Sequence, residues 1–240
     1  MRLRRGRCVA AVALGLTSAL FLDDVPASAD TVYEPYITWN AYKIYLSPAL
    51  QPGNGACGVD ESTQARTAAL AATSSAYQDG YYYPSPAMQA NLRARGYRVR
   101  VGSGDYLANR NSSNAWGAHR HIPMHTNAHG DGVVVCSRTD AANSGTQVYY
   151  YTGRTTGQNL ANKLKDTVGV KSPGTGDKVL TNTSWAELNS VTAPAAYLES
   201  EFHTWQRGAD WIKTSTVMWG GVWPTPSTFT SAIREVRTRT

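Results

Sequence analysis

The chain has 240 residues, a formal net charge of +6 and three cysteines. That length fits a leader followed by one domain with a sizeable core. No stretch is long and apolar enough for a membrane span, and no basic run interleaved with aromatics points to nucleic acid.

In chain order the first feature is the leader. Arg2, Arg4, Arg5 and Arg7 make a positive n-region, residues 8–22 are mostly apolar, and Ala27-Ser28-Ala29 is a small-residue cleavage site. This is the pattern of a secretory signal over residues 1–29. No cysteine lies near the cut for lipidation, so the expectation is a secreted chain with no membrane anchor. Residues 30–240 form the expected single domain. The leader holds four arginines and two aspartates, so the remainder keeps +4 of the +6, a balance that suits either association with an anionic cell wall or solubility alone.

Residues 41–46 alternate in hydrophobicity and are rich in strand formers, which predicts a strand that Ser47-Pro48 stops. Residues 51–58 are rich in Gly, Pro and Asn and read as a loop. Asp60 is placed to cap a helix running from residue 61 to about 77, with an alanine-rich middle. A Tyr- and Pro-rich turn is expected at 79–86. A helix follows over 87–95, with Gly96 as its cap. A strand at 97–101 and a helix at 106–118 lead into a strand ending at His125. Further strands are expected at 132–137 and 146–152, then a helix at 156–168 with Leu160 and Leu164 on one face. A loop at 172–177 precedes a strand at 178–181. The end of the chain reads as a strand at 195–202, a short helix at 209–212 and a terminal helix at 225–237. Strands alternating with helices imply an α/β layer fold.

Cys8 leaves with the leader. Cys57 and Cys136 remain, an even pair in an oxidising compartment, and a disulfide is expected between them.

Two apolar runs end in residues with chemistry. One carries His125 (Ile122-Pro123-Met124-His125-Thr126-Asn127-Ala128), the other Glu199 (Tyr197-Leu198-Glu199-Ser200-Glu201-Phe202-His203). Strand ends in open α/β sheets present side chains to a crevice. A histidine and a glutamate offered there can hold a divalent metal and serve as a base beside it, which suggests a zinc hydrolase. Gln51, in the loop after the first strand, and Glu61, on the first turn of a helix, complete the candidate group. Glu199 inside an apolar run needs a partner, and a salt bridge to Arg110 or Lys213 is the structural alternative. His119, His121 and His129 read as structural histidines. Trp116 and Trp211 read as core, and Trp205 and the tryptophans at 219–223 as possible groove walls. Asn182-Thr183-Ser184 matches a glycosylation acceptor, a pattern too common to weigh.

Several blocks resemble the zinc-dependent N-acetylmuramoyl-L-alanine amidases of cell-wall lysis. They are Tyr45-Leu46-Ser47-Pro48, then Asp60-Glu61 opening a helix, then Asn114-Ala115-Trp116-Gly117-Ala118 through Met124-His125-Thr126-Asn127-Ala128. Gln147-Val148-Tyr149 follows, and last comes Leu198-Glu199-Ser200-Glu201-Phe202 with Ala209-Asp210-Trp211-Ile212. They run in family order over nearly the whole chain after the leader. The resemblance implies a mixed β-sheet flanked by helices, peptidoglycan as substrate, and zinc as cofactor. It implies Glu61 and His125 as metal ligands and Glu199 as the catalytic carboxylate. The chain departs from the pattern where the family's first histidine ligand would stand, for Leu50 occupies that position. Gln51, next in line, offers an amide oxygen. Glu201, standing where the family has a glycine, and His203 lie on the face of Glu199 if the strand alternates strictly, and His129 is nearby. The third ligand stays open among Gln51, Glu201, His203 and His129. The alternative is a non-catalytic pseudo-amidase that binds cell-wall peptide without cutting it.

Overall fold

The structure is a computed structural model that describes residues 29–73, 77–78, 81–82, 92–130, 136–137 and 141–219. Its centre is a seven-stranded mixed sheet. In chain order the strands are β1 (Thr31–Tyr33), β2 (Lys43–Pro48), β5 (Arg98–Val101), β6 (Arg120–Asn127), β7 (Gln147–Tyr150), β8 (Lys178–Thr181) and β9 (Tyr197–Phe202); β3 (Tyr77–Gln78) and β4 (Tyr81–Tyr82) form a separate two-stranded pair. The spatial order is β1-β5-β2-β6-β9-β7-β8. Strands β5, β2, β6 and β9 run parallel, while β1 and β7 enter antiparallel to β5 and β9. The expected mixed sheet flanked by helices is therefore the observed fold.

The helices are α1 (Glu61–Ala71), α2 (Tyr106–Trp116), α3 (Thr155–Val168), α4 (Ala186–Asn189) and α5 (Gln206–Trp219). Asp60 caps α1 as expected, accepting the Thr63 N–H at 2.8 Å. Asp105 caps α2 in the same way, as short polar side chains do at helix starts.

The period of two in the strands divides the core. Ile44 and Leu46 of β2, Ile122 and Met124 of β6, and Leu198 of β9 pack with Ala65, Ala68 and Ala69 of α1, Leu160 and Leu164 of α3, and Ile212 of α5. A smaller cluster of Leu188, Val191, Ala193 and Ala195 sits with Tyr149, Trp185 and Tyr197. The residues alternating with the first set are Tyr45 and Ser47, His121 and His125, and Tyr197 and Glu199, and they belong to the other face. Apolar burial on one face thus leaves a face where buried polar groups must satisfy one another.

Boundaries shifted where tertiary contacts decided them. Helix α1 stops at Ala71 rather than near 77, and α5 is far longer than the short helix expected at 209–212. Strand β1 and the single-turn α4 have too few residues to show a period. The expected helix at 225–237 lies outside the described residues, as do most of the helix expected at 87–95 and of the strand expected at 132–137. Cys57 and Cys136 form the expected disulfide, with Cα atoms 5.5 Å apart.

Candidate active site

Strands β2, β6 and β9 end side by side, and the loop after β2 carries the chain to the start of α1. This puts Glu61 over the end of β6. Glu61 Oε1 lies 3.0 Å from His125 Nδ1 and accepts the Thr126 N–H at 2.9 Å. Its other oxygen accepts from Asn54 Nδ2. Burial pushes the Glu61 carboxyl up, but the hydrogen bond and charge of His125 with the Thr126 and Asn54 donors outweigh it and hold the group below its ordinary value. His125 mirrors it. Burial lowers the imidazole, and the Glu61 hydrogen bond with the charges of Glu199, Glu61 and Glu187 raises it overall. Because Nδ1 is held by Glu61, the ring nitrogen left for chemistry is Nε2.

Glu199 pairs with His125 in register across β6 and β9. It is 9 % exposed, and its Oε2 is buried without a partner among the described residues. Desolvation drives its pKa to about 8, with Glu61 pushing the same way and His125 opposing. At neutral pH Glu199 is therefore a protonated acid beside an imidazole. The salt-bridge alternative does not hold: Lys213 pairs with Asp210 at 3.0 Å, and Arg110 bonds to Asn111.

Glu201 and His203 do not join this group. The register between β6 and β9 shifts at His125–Asn127, where β9 carries one extra residue. Such a bulge breaks the strict alternation that would have put Glu199, Glu201 and His203 on one face. Glu201 instead accepts the backbone N–H groups of Gly145 (2.8 Å), Phe202 (2.8 Å) and Gly174 (3.1 Å), a structural post for two loops. His203 Nδ1 lies 2.9 Å from Thr126 Oγ1. His129 is engaged with Thr204 Oγ1 at 2.7 Å.

The donors do not make a three-ligand zinc site. Among the described residues no three His, Cys, Asp or Glu side chains are grouped so as to hold a metal ion. A catalytic zinc takes about three protein ligands and an open position, and here Glu61 and His125 satisfy each other. Leu50 is 49 % exposed and lines a separate cavity with Arg66 and Gly102. Gln51 does line the cleft of His125, but its amide oxygen accepts from Asn54 at 2.8 Å. One imidazole, one carboxylate and one occupied amide are a poor match to zinc.

The cleft itself has a volume of about 420 Å³. Tyr197 stacks on His125, ring centroids 4.4 Å apart, and Trp185 packs on Tyr197 at 4.5 Å. Tyr106, Leu107 and Glu187 complete the walls. Trp205, expected as a groove wall, is instead buried at 4 % exposure. Of the cleft residues only Gln51 and His125 were named from the sequence as site residues; among those missed are Trp185 as a wall and Glu187 altogether. Both sit between residues 182 and 194, a stretch where no element was expected. The available signal was Asn182, whose Oδ1 accepts the Ser184 and Trp185 N–H groups in an Asx turn just before α4. The pattern dismissed as a glycosylation acceptor is that turn.

No protein-family model matches the sequence, and no curated protein matches it. Solved structures do match the fold. The N-acetylmuramoyl-L-alanine amidase AmiC2 of Nostoc punctiforme superposes with a TM-score of 0.55 at 13% identity, covering 82% of this chain and 98% of that one. An N-acetylmuramoyl-L-alanine amidase from Clostridium difficile 630 gives 0.54 at 17% identity, covering 84% and 99%. The catalytic domain of CwlV, from Bacillus (Paenibacillus) polymyxa var. colistinus, gives 0.52 at 15% identity, covering 83% and 99%. At these identities the likeness is one of fold, and it spans the whole of those domains.

Proposed function

We propose that this chain, which carries the fold of the N-acetylmuramoyl-L-alanine amidases, is a secreted peptidoglycan hydrolase that cuts the amide between the muramoyl lactyl group and L-alanine. The observation that carries the reading is the meeting of Glu61, His125 and Glu199 at the ends of neighbouring strands, beside an aromatic cleft. Glu61 fixes the orientation of His125. Glu199, protonated at neutral pH, is suited to give a proton to the departing amine, the general-acid part of amide cleavage. Because the donor set falls short of a three-ligand site, no step is assigned to a metal ion. The Cys57–Cys136 disulfide and the leader-like N-terminus support export.

Incubation of the exported protein with purified cell walls tests this by release of stem peptides. Release that Glu199→Gln abolishes supports the reading. Chelation and zinc add-back on the same sample measure whether an ion takes part. A second reading, binding of wall peptide without cleavage, is favoured by Leu50 at the first ligand position. Tight wall binding with no peptide release would establish it in place of the first.

A further inference from the structure

The cleft contains a carboxylate that the amide-cutting group does not use. Glu187 is only 3 % exposed, yet it lines the cleft. It accepts from Ser47 Oγ and lies 3.1 Å from His121 Nε2, and both contacts are made by Oε1. His121 Nδ1 is buried without a partner, which assigns Nε2–H as the donor to Glu187. Oε2 receives no hydrogen bond from the described residues and is not among the fully buried unpartnered atoms, so it is the oxygen left for a ligand.

The support behind Oε1 is a buried chain of hydrogen bonds. Asn109 Nδ2 donates to Ser47 Oγ at 2.9 Å, Tyr45 Oη lies 3.3 Å from Asn109 Oδ1, and Tyr45 Oη donates to Asp30 Oδ2 at 2.7 Å. The ring of Tyr45 stacks on His121 at 5.3 Å. A carboxylate braced this firmly, with one oxygen left open, is a fixed acceptor. Among the described residues no lysine or arginine lines the cleft, and none pairs with Glu187 as a permanent cation. Beside it stand Trp185 and Tyr197, their rings tilted by 43° with centroids 4.5 Å apart; Tyr197 is covered on its other side by His125, so the partly exposed Trp185 is the aromatic surface a ligand meets. An aromatic face next to an open carboxylate suits an organic cation. The cleft therefore carries negative charge in a chain whose net charge is +6.

We propose that Glu187, with Trp185 and Tyr197, forms a subsite for a primary ammonium group of the wall ligand. This rests on the peptidoglycan reading above and adds to it a preference between wall chemistries. Two groups could supply the cation: the side-chain amine of a diamino acid in the stem peptide, or the amine of a deacetylated sugar.

The test is binding of soluble muramoyl peptides to the wild-type protein by calorimetry. Three probes are compared: one with a free amine on the peptide side chain only, one with a free amine on the sugar only, and one with both amines acetylated. The free-amine probe that fits should bind about ten- to a hundredfold more tightly than the acetylated one, and the probe that shows the preference identifies the source. Glu187→Gln should erase the difference while the acetylated probe binds as before, a selective loss that a merely structural role would not give. Equal binding of all three probes to the wild type overturns the subsite and leaves the wall reading in place. Binding of none overturns both. Should Glu187→Gln fail to fold, the ligand series on the wild type still decides.

Discussion

Replacing Glu199 by glutamine should make the protein more stable while removing its activity. The carboxyl is buried, one of its oxygens has no partner, and its pKa rises from 4.5 to about 8. The unfolded chain releases this proton near its ordinary value, whereas the folded chain holds it until pH 8. Stability is unaffected below both values, falls as pH rises between them, and is constant above the higher one. At pH 7 the interval travelled is about 2.5 units, a cost of about 3.5 kcal/mol at 1.36 kcal/mol per unit. Glu199→Gln has no proton to lose and escapes that cost. Urea unfolding at pH 4, 5.5, 7 and 8.5 should show the two proteins alike at pH 4 and increasingly separated above it, the variant being the more stable, with unchanged m-values. Peptide release from walls should fall on the order of a hundred- to ten-thousandfold, the usual loss when a general acid or base is removed. A variant no more stable than wild type at pH 8.5 would refute the buried-acid argument. A more stable variant with full turnover would refute the catalytic role alone.

Glu61→Ala should cost about 2 to 5 kcal/mol in urea unfolding, since the buried donors on His125 and Thr126 lose their acceptor. Chelator should leave the wild-type midpoint unmoved, because Glu61 and His125 satisfy each other; a fall of several kcal/mol would mean that an ion bridges them. Reduction of the Cys57–Cys136 bond, which closes a 79-residue separation, should lower stability by about 4 kcal/mol, read as a drop in denaturation midpoint; an unchanged midpoint would show that the unfolded chain was not restrained. Asp30 is held below its ordinary value: burial raises it, but Ser112, Tyr45, Ser103 and Arg100 together outweigh that. Its contribution is therefore present above about pH 4 and lost as pH falls through the folded value. Asp30→Asn should be about 2 kcal/mol less stable at pH 6, with the gap closing toward pH 2; a gap that does not change with pH would exclude the carboxylate as its source.

Much of the site was legible because it follows from short-range patterns. An apolar run ending in His125 and another carrying Glu199 place both residues at strand ends, and Asp60 marks the start of the helix that delivers Glu61. Gln51 faces the same cleft, as its place after β2 suggests. Two things were hidden. The extra residue in β9 opposite Thr126 has no signature in composition, yet it separates Glu201 and His203 from Glu199. Residue identity states the period of a strand but not where that period is interrupted. The single-turn α4 was hidden for another reason: four residues cannot display a helical repeat, so Trp185 and Glu187 gave no sign that they shared a wall with His125.

The residues that the sequence concealed also explain why the cleft can hold so many acids. Glu187 lines it, Glu61 and Glu199 stand beside His125, which also lines it, and all three acids are at most 9 % exposed. Three buried carboxylates together would be prohibitive if all were ionised and unsupported. The fold treats each one differently. Glu61 keeps its charge through three hydrogen bonds, from His125, Thr126 and Asn54. Glu187 is supplied with donors by Ser47 and His121, whose own support reaches back to Asp30. Glu199 Oε2 is given no donor among the described residues, and the group keeps its proton instead. Close packing of that support demands glycine at position 102, where a Cβ would come within 2.4 Å of Asn109 Oδ1 and 2.7 Å of Tyr45 Oη. An oriented imidazole, a charged Glu61 and a neutral Glu199 thus stand together at neighbouring strand ends because their surroundings set the two carboxyl groups' protonation states apart, which is the condition acid–base chemistry needs from otherwise identical side chains.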